Sequence, residues 1–187
     1  AEIHRPDVVV IPKTTADVSA AIAFADREGL TVQVQATGHG SGLRAEGGLL
    51  INTLELDGVR IDPERGTARV GAGARWQEVI DRAFEHGFAP LNGSSVTVGV
   101  VGYTLGGGMG PMARTYGFAA DHVREVQLVT AQGQVIDVDE DREPELFWGL
   151  RGGKCALGVV TELEFDLMPI SHVYGGGIFF PGDAAHD

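Results

Sequence analysis

Two clusters of glycine constrain this chain more than anything else in it. ATGHGSG at 36–42 and VTVGVVGYTLGGGMG at 96–110 hold nine of the 28 glycines in 187 residues, a total about twice the usual ~7% share. Glycine gives up more backbone entropy on folding than any other residue, so it weakens a helix or strand that contains it. It is favoured where the chain must turn with positive φ or approach another group closely. The clusters follow no Gly-X-Y period and sit between periodic apolar segments, which excludes collagen and linker readings. They point instead to backbone N–H groups gathered near a ligand, and such nests bind anions. GHGSG does not lead into an apolar-faced helix, GGGMG has no strand directly before it, and no G-x-x-x-x-G-K-[ST] occurs. Rossmann and P-loop readings are therefore disfavoured.

The rest of the chain reads as a mixed helix and sheet protein. VVVI (8–11) is a short buried strand ending at Pro12. Thr14 or Thr15 caps a helix whose apolar positions, Val18, Ala21, Ile22 and Ala25, have helical spacing, and Gly29 stops it. TVQVQ (31–35) alternates like a strand and completes a strand–helix–strand unit. LLINT (49–53), VRID (59–62) and TARVGAG (67–73) are further strands. The stretch 74–87 is an amphipathic helix with Trp76, Val79, Ile80, Ala83 and Phe84 on one face. From 91 to 110 the pattern breaks. VREVQLVT (123–130) and QVIDV (134–138) form a hairpin, EPELFWGLRGG a short helix, and GVVTELEFDLMP (158–169) a long strand.

Charge narrows the function. Fourteen basic against 26 acidic residues leave a net charge of −12, which repels a nucleic-acid backbone. The acidic run DVDEDREPE (137–145) reads as a solvated loop entering a helix. The single cysteine, Cys155, has no internal disulfide partner and reads as a small buried hydrophobe. No apolar stretch reaches ~20 residues and no signal-like segment opens the chain, so no membrane partner and a cytoplasmic location are expected. The histidines lack metal-ligand spacing and G-x-S-x-G is absent, so neither a metal nor a serine nucleophile is expected.

Five ordered motifs, RPDVVVIPKTTADV (5–18), VQATGHGSG (34–42), VTVGVVGYTLGGGMGPMARTYGFAADHV (96–123), ELFWGLRGG (145–153) and LGVVTELEF (157–165), cover nearly the whole chain. Together they resemble the PCMH-type FAD-binding domain of the vanillyl-alcohol oxidase / p-cresol methylhydroxylase superfamily, nearest to berberine-bridge-enzyme-like oxidoreductases. The resemblance implies an α+β fold of two α/β FAD-binding subdomains, 1–56 and 57–170. Residues 171–187 would begin a linker toward a substrate (cap) domain absent from this chain.

By the same resemblance FAD is the cofactor. Its contacts fall on Ala36, Thr37, Gly38, His39, Gly40, Ser41 and Gly42 in the first loop. Further contacts fall on Ser95, Thr97, Val98, Gly102, Tyr103, Thr104 and Gly110 in the second, and on Val160 toward the adenosine end. In many family members the histidine matching His39 is bonded to the flavin 8α-methyl; the alternative is a hydrogen-bonding His39 beside non-covalent FAD. Some members add a cysteine bond where this chain has Ser95, which cannot form the thioether, so a bicovalent flavin is not expected. Val98 matches a position where valine accompanies oxygen reactivity, or else simply packs. Tyr103 replaces a histidine common in relatives. Arg114 and Tyr116 read as scaffold.

The implied function is FAD-dependent oxidoreduction, with hydride passing from a C–H beside oxygen or nitrogen to flavin N5 and electrons then to O2. Catalytic residues are expected in the cap domain, and the partners are a small-molecule substrate, O2, and a cap domain or a second copy of the chain. Truncation, an isolated domain and a split protein all fit the length. The chain by itself is expected to bind FAD but turn over poorly; the alternatives are a non-catalytic flavin-binding module and a domain that needs its cap before it binds flavin.

Overall fold

A computed structural model describes residues 4–40, 44–154 and 156–181. The chain opens with β1 (Val8–Val10), α1 (Thr15–Glu28), β2 (Val32–Gln35) and β3 (Leu49–Asn52). It continues through a 3₁₀ turn (Thr53–Glu55), β4 (Val59–Asp62), β5 (Thr67–Gly71) and α2 (Trp76–Phe84). Two short helices follow, α3 (Val100–Thr104) and α4 (Ala113–Tyr116), then a 3₁₀ turn (Ala119–His122). The last elements are β6 (Val123–Val129), β7 (Val135–Val138), α5 (Pro144–Gly153) and β8 (Val159–Asp166).

The strands form two sheets. The first is parallel, in the order β1-β3-β2; the second is antiparallel, in the order β4-β5-β8-β6-β7. The strand–helix–strand unit therefore exists, but β3 inserts between its two strands. β1 is an edge strand covered on one side only, so Val9 and Ile11, each 53% exposed, correct the expectation of a buried strand.

Helix α1 starts where its cap dictates. Asp17 N–H donates to Thr14 Oγ1 at 3.2 Å, while Asp17 Oδ2 accepts from Thr14 N–H at 2.9 Å, a reciprocal capping box. Gly29 closes it at φ 65°. Its buried face, Val18, Ala21, Ile22 and Ala25, packs on Leu49 and Ile51 of the first sheet and on Val129 and Val159 of the second. Polar bonds reinforce this bridge, with Thr15 Oγ1 and Gln127 Oε1 3.1 Å apart.

The larger core lies between the five-stranded sheet and helices α2, α3 and α5, centred on fully buried Trp76, Val79, Val126, Leu150 and Leu163. Phe84, expected on the buried face of α2, is 64% exposed. At 3.6 residues per turn it lies about 80° around the helix from Trp76, outside the arc that Val79 and Ala83 centre. The irregular stretch 91–110 contains one regular piece, α3, too short to show a period. Past Pro169, residues 171–181 carry no regular element and expose Tyr174, Ile178, Phe179 and Phe180.

Candidate functional site

Strand β2 ends at Gln35 and delivers the chain into the first glycine-rich loop. Gly38 and Gly40 take φ of 74° and 69°, which glycine adopts without the strain other residues incur. Between them His39 is exposed. Its N–H donates to Thr37 Oγ1 at 3.5 Å, and its ring makes no hydrogen bond to a described residue. Ser41 and Gly42, assigned to the same loop, lie outside the described residues, as does Cys155.

The second glycine-rich segment is held by the start of α2. The N-cap residue Arg75 offers no side-chain acceptor, and free N–H groups at a helix start need partners. Backbone carbonyls supply them: Trp76 N–H donates to Val98 O at 3.2 Å and Gln77 N–H to Val96 O at 2.9 Å. Val100 N–H donates to Ala74 O at 3.0 Å. This stitching places Gly99 against the first loop, where a Cβ would stand 3.6 Å from Thr37 and 3.7 Å from Ala36.

A cleft in two joined compartments lies beside this contact. One, about 130 Å³, has an apolar wall that includes Val101, Leu105, Val159 and Val160. The other, about 200 Å³, is bordered by Ala36–Gly40, Val98 and Tyr103. Gly102 and Lys154 border both. Where a Cβ of Gly102 would stand there is nothing within 4 Å. No carboxylate lines either compartment among the described residues.

Tyr103 stands edge-on to Trp76, ring centroids 5.5 Å apart. Its Oη is shielded from solvent without a hydrogen-bond partner, and burial raises the phenol above its ordinary pKa. The group therefore stays a neutral donor at any physiological pH.

Ala36, Thr37, Gly38, His39, Gly40, Val98, Gly102, Tyr103 and Val160 thus converge on the cleft. Four other sequence candidates do not line it. Ser95 and Thr97 pair their hydroxyls at 3.1 Å outside both compartments. Thr104 is 1% exposed, with its Oγ1 unpartnered inside the core. At Gly110 a Cβ would stand 2.2 Å from Asn92 O and 3.1 Å from Tyr103 Oη, so this glycine accommodates the protein's own chain.

Sequence reasoning passed over Lys154 and the apolar wall formed by Val101 and Leu105. The wall residues carry no signal beyond hydrophobicity. Lys154 carries one: it is one of two lysines in an acidic chain and stands directly after FWGLRGG. Among the described residues there is no group of three His, Cys, Asp or Glu side chains that would hold a metal ion, and no helix long and apolar enough to cross a membrane.

Residues 6–139 match the family model for the FAD binding domain. (R)-6-hydroxynicotine oxidase from Paenarthrobacter nicotinovorans is 34% identical over 88% of this chain and 36% of its own length. Among solved structures, the glucooligosaccharide oxidase of Acremonium strictum, described with a 6-S-cysteinyl, 8α-N1-histidyl FAD, superposes at a TM-score of 0.83. It is 29% identical, over 88% of this chain and 35% of that one. The berberine-bridge-enzyme-like protein 1 of Physcomitrella patens also gives 0.83, at 30% identity over 88% of this chain and 37% of that one. The chain thus spans little more than a third of the length of these relatives. It belongs to the FAD-binding-domain family of the vanillyl-alcohol oxidase / p-cresol methylhydroxylase superfamily, with relatives among the berberine-bridge-enzyme-like FAD-linked oxidoreductases.

Proposed function

We propose that this chain is the cofactor-holding part of an oxidase that removes hydride from a C–H beside oxygen or nitrogen, with residues 1–56 and 57–170 as two subdomains on either side of FAD. The observation that carries the reading is the meeting of the two glycine-rich segments, Gly99 against Thr37, beside the cleft.

The residues present fit FAD. Open space at the Cβ position of Gly102 leaves room for a ligand in both compartments. The wall formed by Val101, Leu105, Val159 and Val160 suits an apolar ring face. Loop Thr37–Gly40, with two glycines at positive φ, suits a diphosphate, since turns of this kind aim successive N–H groups at an anion. When bound, FAD supplies a two-electron acceptor for the substrate hydride, with O2 taking the electrons onward to give hydrogen peroxide.

His39 is the nucleophile at the rim of the site, exposed and with no hydrogen bond from its ring to a described residue. We assign it the covalent attachment, with Ser95 leaving that attachment single. Val98, half-buried at the cleft, leaves access for O2. Among the described residues no carboxylate lines the cleft, so the base that takes a substrate proton would come from another domain or chain.

The visible spectrum before and after acid precipitation tests the reading. Yellow colour that stays in the pellet, and moves to the supernatant in His39→Ala, is the expected result. Colour already released from the unsubstituted protein would remove the covalent assignment alone. A colourless protein that stays colourless with added FAD would overturn the whole reading.

A further inference from the structure

Lys154 is built into the cleft at a cost. Its backbone adopts φ 60°, ψ −141°, a conformation that side-chain-bearing residues rarely hold, and such strain persists only where the surroundings enforce it. They do so here. Helix α5 leaves helical dihedrals at Arg151, whose guanidinium carbon lies 4.5 Å from the centre of the Phe147 ring. Gly152 N–H and Lys154 N–H then both donate to Leu105 O, each at 3.0 Å. The turn is thus clamped to the end of α3, and its lysine borders both compartments.

The ammonium has no ion-pair partner among the described residues, although the chain carries 26 carboxylates. The other lysine, Lys13, pairs with Glu55 at 3.6 Å. No arginine borders either compartment. Among the described residues this is a strained, unpaired cation bordering a cleft that no carboxylate lines, which suits an anionic ligand, and its position where the apolar compartment joins the amide-rich one matches the middle of a dinucleotide.

We infer that Lys154 is the charge partner of the cofactor's diphosphate; this rests on the FAD reading above. A point charge on a flexible stem suits a phosphate oxygen, and a hydrogen bond to a charged group contributes more than a neutral one. Lys154 is exposed at the border of the cleft, so its charge can reach an anion seated there.

The test uses protein carrying His39→Ala, freed of flavin and titrated calorimetrically with ADP, adenosine and riboflavin, with and without Lys154→Met, Lys154→Arg or Lys154→Gly. Lys154→Met is expected to weaken ADP about tenfold or more while leaving adenosine and riboflavin unchanged. Lys154→Arg should recover most of the loss, and added salt should weaken ADP more in the parent than in Lys154→Met. Lys154→Gly should lose ADP while melting no lower than the parent, because glycine holds this backbone conformation freely; that separates ligand loss from unfolding. Unchanged ADP affinity in Lys154→Met would overturn the inference, as would an equal loss for adenosine, which would make the lysine a packing residue. A loss confined to riboflavin would overturn it by moving the lysine to the flavin end. A parent that binds none of the probes, or FAD itself, would remove the cofactor reading and this inference with it.

Discussion

Arg69 Nε and Nη2 both donate to Glu164 Oε2, at 3.2 and 2.7 Å, and Glu164 is only 5% exposed. The two are cross-strand partners in the β5–β8 ladder, and Glu125 stands opposite Glu164 in the β6–β8 ladder. One guanidinium thus holds three carboxylates together, Glu125, Glu164 and, at 3.4 Å, Glu162, with Arg65 2.9 Å from Glu164 and Arg142 on Glu125. Removing one member of such a pair strands the other in a poorly solvated place. Arg69→Met is expected to cost about 3–5 kcal/mol in urea unfolding; a loss below about 1 kcal/mol would show that the network behaves as surface ion pairs do.

Acid should attack the same network. Burial raises the Glu125 carboxyl, but hydrogen bonds from Arg69 and Arg142 outweigh it and hold the group below its ordinary value of 4.5. The hydrogen bond from Arg142 likewise lowers Asp139, and bonds from the Lys13 backbone and from Thr14 lower Asp17. A carboxyl depressed by folding contributes stability above its unfolded pKa and loses it as pH falls through the folded one. Stability should therefore hold from neutral pH to about 5 and decline below the 4.5 and 3.8 of the unfolded groups. Glu125→Gln should flatten that decline; an unchanged acid limb would disprove Glu125's part in it.

Two glycines of the second glycine-rich segment should respond differently to a single methyl group. Alanine at Gly99 meets Thr37 and Ala36 at ordinary contact distance, so Gly99→Ala should alter stability by no more than about 1 kcal/mol. Alanine at Gly110 would press on the Asn92 backbone oxygen, which cannot rotate away, and should cost about 1–3 kcal/mol. Equal unfolding midpoints for the two variants would contradict the packing described here.

Thr14→Ala removes the acceptor for Asp17 N–H while leaving Asp17 Oδ2 in place. A loss of about 1 kcal/mol, or roughly 2–4 °C in melting temperature, is expected. Because α1 bridges both sheets, the loss should appear in one cooperative transition; a separate early transition would mean that the first sheet unfolds alone.

The local elements were legible because their causes are local. A threonine three residues before an acceptor side chain starts α1, a glycine ends it, and alternation of apolar residues marks β5, β6 and β8. The first glycine cluster was likewise legible as a turn, since Gly38 and Gly40 take positive φ. Tertiary contacts settled the rest. Period says which face of a strand is apolar but not which strand lies beside it, so β3 between β1 and β2, and β8 between β5 and β6, emerge only when helices and sheets pack. The same limit separates Gly102, whose Cβ position faces open space, from Gly110, which leaves space for Asn92. It also explains Lys154, whose place in the cleft depends on a turn clamped to the carbonyl of Leu105, a residue 49 positions earlier in the chain. Contacts between residues so far apart in the chain have no periodic signature, because distance along the backbone does not constrain distance in space.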